Sequence, residues 1–122
     1  MRIFTLEEAR EVLREIMPLT DAYVERVDPL RTRFDDAKQT GDTASMERLE
    51  ATIGREIHEW MLSVAAYGAQ VKAAWLVDFD SGDGYLYCWH HGESDILYYH
   101  AFEACFTGRQ PIALLEARLR GR

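Results

Sequence analysis

Two cysteines, Cys88 and Cys105, are all the chain contains, too few for a disulfide framework and not spaced as CxxC, so both read as reduced thiols. No window approaches the roughly 20 apolar residues that a membrane-crossing helix needs. The opening Met1-Arg2-Ile3-Phe4-Thr5-Leu6-Glu7-Glu8 turns acidic at once, with no apolar run ahead of a small-residue cleavage site, which predicts a cytoplasmic protein. Positive charge is scarce: 14 Lys and Arg against 21 Asp and Glu leave a net charge of −7, and Arg118, Arg120 and Arg122 are its only concentration. Such a surface repels polyphosphate, so nucleic acid is not an expected partner, and neither is a membrane. Standard catalytic signatures are absent as well. His58-Glu59 begins like an HExxH zinc helix but Leu62 holds the place of the second histidine, and there is no phosphate loop or nucleophile elbow.

What is present suits one domain over 1–122, long enough to bury roughly two-thirds of its unfolded surface. Thr5-Leu6-Glu7-Glu8 has the form of a capping box and starts a helix. Leu6, Ala9, Leu13, Ile16, Val24, Val27, Leu30 and Phe34 then follow three- and four-residue steps along one helical stripe. Pro18 and Pro29 interrupt that stripe and predict kinks or a break. A polar loop from Lys38 to Thr43 reverses the chain, and Met46, Leu49, Ile53, Ile57, Trp60, Met61 and Val64 form a second stripe that ends at Gly68.

From Ala73 the pattern changes to short runs of Val, Phe, Tyr and Trp between turn residues. Ala73 to Asp80, Tyr85 to His91 and Ile96 to Phe102 read as three strands, and Ile112 to Arg120 as a closing helix with Leu114, Leu115 and Leu119 facing inward. The expected fold is therefore α+β: a long antiparallel helical hairpin over 1–68, packed on a three-stranded antiparallel β-meander over 73–106, with a short C-terminal helix over 112–120.

Leu76-Val77-Asp78-Phe79, Cys88-Trp89, Gly92-Glu93, Tyr98, His100, Glu103, Phe106 and Gly108-Arg109-Gln110-Pro111 resemble an uncharacterised bacterial family, domain of unknown function 2203. The helical start Phe4-Thr5-Leu6-Glu7-Glu8-Ala9 resembles it too. The chain departs from the family pattern where it has Trp75 and Cys105 in place of glycine, Asp80 in place of proline, His90 in place of a basic residue and Tyr99 in place of tryptophan. The link from Lys72 to Leu76 is also shorter. The resemblance implies a shared fold and surface, and no activity.

Chemistry concentrates in the strands. Cys88, His90, His100 and Glu93 are the candidate metal ligands, with Asp78 as a further one, for zinc or another divalent ion. Strand alternation puts Cys88 and His90 on one face and His91 on the other. His100 joins Cys88 and His90 if the hairpin pairs 88 with 100, and a slip of one residue sends it to the opposite face. The competing reading makes Cys88 a buried apolar residue and leaves the histidines among aromatics.

His100, Glu93 and Asp78 are also the candidate catalytic groups. Trp75, Tyr85, Tyr87, Trp89, Tyr98, Tyr99, Phe102 and Phe106 hold more than half the aromatic residues. Some must point away from the helices, so Trp89, Tyr98 and Arg109 are candidate contacts to a small-molecule ligand. For Arg109, pairing with Asp78 or Glu93 at the Gly-Arg-Gln-Pro corner is the favoured role. The leading expectation is a small binding or assembly protein, homo-oligomeric, and the alternative is a metal-dependent or acid–base enzyme using the Cys/His/Glu cluster.

Overall fold

A computed structural model describes residues 2–104 and 106–121, so the expectation of a reduced thiol at Cys105 falls outside the described residues. Helix α1 spans Leu6–Thr40. Its capping box closes as the sequence indicates: the Glu8 amide donates to the Thr5 hydroxyl at 3.1 Å, and the Thr5 amide donates to the Glu8 carboxylate at 2.9 Å. Of the kinks or break expected at Pro18 and Pro29, a break does not occur, since both lie inside one helix of 35 residues. Pro18, Pro29 and the residues four back, Arg14 and Glu25, are all exposed. The carbonyls that lose an intrahelical donor therefore lie on the solvent side, where water can supply the hydrogen bond.

Gly41, at φ 72°, ends α1 in the left-handed region that glycine adopts without steric cost. Asp42 then caps α2, Thr43–Ala65, through the Ser45 amide. The two helices pack antiparallel, joined near mid-length by the Arg26–Glu56 ion pair and closer to the sheet by Trp60 on Thr20. At about 1.5 Å per residue α1 is ~52 Å long. Only its first half meets the sheet: the main core takes Ala9, Val12, Leu13 and Ile16 from α1 and Trp60 and Val64 from α2. Beyond Tyr23 and Ile57 the hairpin continues as a two-helix arm, in which Val27, Ala37 and Leu49 are buried.

The sheet has five antiparallel strands in sequence order, not three: β1 Gln70–Ala73, β2 Leu76–Asp80, β3 Tyr85–His90, β4 Tyr98–Ala101 and β5 Gln110–Pro111. The stretch from Ala73 to Asp80 is not one strand, because the chain turns at Trp75, whose φ of 66° is left-handed, and β1 folds back on β2. The fifth strand has two residues, too few for alternation to reveal. Val77, Phe79, Tyr87, Trp89 and Tyr99 face the helices and form the core with them. Helix α3, Ile112–Arg120, buries Ile112 and Leu115, one turn apart on one side. Leu114 and Leu119 are instead 54% and 49% exposed, contrary to the inward facing expected of them. Among the described residues no helix is long and apolar enough to cross a membrane.

Candidate functional site on the outer face of the sheet

Because β2, β3 and β4 pair in register, their outward residues fall in rows. Asp78 stands opposite Cys88, Cys88 opposite Tyr98, and Leu86 opposite His100. The direct 88–100 pairing is shifted by two residues, which preserves parity, so His100 shares the face of Cys88 and His90. This face points away from the helices. The segment after β4 covers it: Phe106 sets its ring edge-on to His90 at 5.8 Å, and the Arg109 guanidinium lies 4.0 Å over Tyr98 and 4.5 Å over Phe106.

Under this cover Asp78, Cys88 and His100 converge, each offering a donor atom within 4.8 Å of the others. All three are buried, to 1%, 0% and 5% exposure. His100 places Nδ1 2.8 Å from the Ala101 carbonyl, which can only accept, so Nδ1 carries the proton there. Its Nε2 then lies 3.1 Å from Oδ2 of Asp78. With Nδ1 protonated, that approach sets a nitrogen lone pair against a carboxylate oxygen unless a second proton or a cation sits between them. The other carboxylate oxygen, Asp78 Oδ1, is buried without a hydrogen-bond partner among the described residues. Burial pushes the Cys88 thiol up to about 12, and the neighbouring Asp78 carboxylate adds to the shift.

Asp78 and His100 form part of the wall of a cavity of ≈ 440 Å³. Leu76, Phe102 and Phe106 give it an apolar side, and Lys72 and Glu103 carry the charges at its edge.

A family model described as an uncharacterized conserved protein, DUF2203, matches residues 2–112 and so takes in both helices of the hairpin and all five strands. The chain belongs to the DUF2203 family. No protein of curated function and no solved structure matches it.

Within this DUF2203 chain the candidate residues separate into groups. Cys88 and His100 stand together with Asp78. Glu93 and His90 stand apart from them. Glu93 takes both carboxylate oxygens to Arg109 Nη2, at 2.6 and 2.8 Å, and accepts the His90 amide at 2.7 Å. His90 turns Nδ1 to the His91 carbonyl at 2.9 Å. Arg109 thus ties the Gly-Arg-Gln-Pro corner to the turn after β3, with Glu93 rather than Asp78 as its partner. Trp89 faces the core and donates its indole N–H to the Glu93 carbonyl at 2.8 Å, while Tyr98 lies on the outer face beneath Arg109. Lys72 escaped sequence reasoning, because a single lysine in a short edge strand carries no signal of what it lines.

Proposed function

We propose that this protein binds a divalent transition metal of the zinc class through Asp78, Cys88 and His100. The observation that carries this reading is the approach of His100 Nε2 to Asp78 Oδ2 at 3.1 Å while Nδ1 is committed to a backbone carbonyl. Metal-bound histidines commonly hold their second ring nitrogen in this way, which fixes the tautomer and aims the free lone pair at the ion. Asp78 Oδ1, buried with the Cys88 thiol beside its carboxylate, supports it from the other side. A thiol, an imidazole and one carboxylate form a donor set that suits zinc better than magnesium, which takes oxygen ligands and retains several waters.

Charge balance favours the same reading. An aspartate, a neutral histidine, a thiolate and a dication sum to zero, so a divalent ion leaves the buried site without net charge and supplies what a thiolate needs in place of water.

Equilibrium dialysis against zinc, with protein purified without an affinity tag, tests this. One zinc per chain is expected at neutral pH, with binding weakened at least tenfold in Cys88→Ser and in His100→Ala and unchanged in His90→Ala. Thermal melts of the variants establish that each is folded. Failure of the folded wild type to take up stoichiometric zinc, or equal uptake by the Cys88→Ser and His100→Ala proteins, would overturn the reading.

A further inference from the structure

Two of the three donors, Asp78 and His100, belong to the cavity wall, whereas Cys88, buried next to them, is not part of the lining. A metal held by all three therefore sits at the edge of the cavity with its protein ligands on one side. Three protein ligands leave a tetrahedral ion one position short, and an open fourth position distinguishes a site that exchanges ligands from a structural one. The direction left for that position is the cavity itself.

The lining specifies what would fit there. Leu76, Phe102 and Phe106 supply apolar wall, and Lys72 is the positive side chain of the set. Arg109, the other cation on this face, has Nη2 committed to Glu93 and is not part of the lining. Among the described residues, the lining group that could compete for the fourth position is the carboxylate of Glu103, which is exposed. Glu103 would have to leave water to reach the metal, and the Glu103→Gln variant tests whether it does.

We infer that the metal held by Asp78, Cys88 and His100 keeps its fourth position open to the cavity and there takes a small monocarboxylate with a short alkyl body. The carboxylate meets the metal and Lys72, and the alkyl part lies against Leu76, Phe102 and Phe106. This inference rests on the metal reading above.

Cobalt(II) replaces zinc in such sites and reports its coordination through visible d–d absorption, so the cobalt-loaded full chain is the probe. Propionate is expected to shift that spectrum with saturation at one per chain, and the series acetate, propionate, butyrate to tighten by about fourfold per added CH2. Lys72→Ala should weaken propionate roughly threefold to fivefold, as loss of an exposed ion pair does, while leaving cobalt affinity unchanged. Glu103→Gln should leave the ligand-free spectrum as it is. If cobalt binds stoichiometrically and propionate leaves the spectrum unmoved, the open position is wrong and the metal reading stands. A ligand-free spectrum altered by Glu103→Gln would assign the fourth position to Glu103 and overturn the inference likewise. If no cobalt binds, both readings fall together.

Discussion

Trp60 donates its indole N–H to the Thr20 hydroxyl across the helical hairpin at 2.9 Å, and both side chains are fully buried. Thr20 in turn donates its hydroxyl to the Ile16 carbonyl at 2.8 Å, so this buried polar contact is satisfied throughout. Trp60 also meets the ring of Trp75 edge-on, at 4.9 Å, and so joins the second helix to the turn between β1 and β2.

Trp60→Ala is accordingly expected to cost about 3 to 5 kcal/mol, the range for truncating a large core side chain. Thr20→Val keeps the volume but strands the indole N–H, at about 1 to 3 kcal/mol. Urea denaturation checks both. An unchanged midpoint in Trp60→Ala would place Trp60 outside the core.

Trp75 carries the second prediction. A left-handed backbone costs a non-glycine residue about 1 to 2 kcal/mol, which Trp75 offsets by packing on Trp60. Both Trp75→Gly and Trp75→Ala lose that packing, but only glycine relieves the backbone. Trp75→Gly should therefore be the more stable of the two by about 1 kcal/mol, the reverse of the usual order inside strands and helices. The opposite order in paired denaturation curves would show that the turn is not held in the left-handed region in solution.

The position of Trp75 also shows where the sequence ceases to be legible. Alternation within Tyr85–His90 was enough to put Cys88 and His90 on one face, because that period is local. Whether His100 joined them depended on the turn between β3 and β4, whose length no local pattern dictates. The capping box at Thr5 and the apolar stripes located the helices, while the effect of Pro18 and Pro29 depended on which side of α1 met solvent. Trp75 looked like a strand residue by propensity, and only a left-handed φ makes it a turn. The resemblance to relatives with glycine there held that information, expressed as a residue type rather than a conformation.

Cys88 makes a pH prediction. Its thiol is pushed up to about 12 in the folded chain, above the ordinary value near ~8.5, so an unfolded chain loses this proton first as pH rises. The native state then binds more protons than the unfolded state, and stability falls with rising pH. The contribution is fully present below pH ~8.5 and is lost toward pH 12, by at most ~1.4 kcal/mol per pH unit. Burial raises Tyr87 as well, so the clean window is pH ~8.5 to 10, below the ordinary range of tyrosine. In metal-free protein, Cys88→Ala should lose stability less steeply than wild type across that window. Parallel slopes would mean that the thiol is not buried in the folded state.

The most direct measurement is X-ray absorption at the zinc edge of the zinc-loaded protein. Ligation by Asp78, Cys88 and His100 predicts a four-coordinate ion with a single sulfur at about 2.3 Å and nitrogen or oxygen neighbours at about 2.0 to 2.2 Å. The imidazole scattering should disappear in His100→Ala and the sulfur in Cys88→Ser. A shell of nitrogen and oxygen alone in the wild-type protein, or one unchanged by both substitutions, would contradict the proposed site.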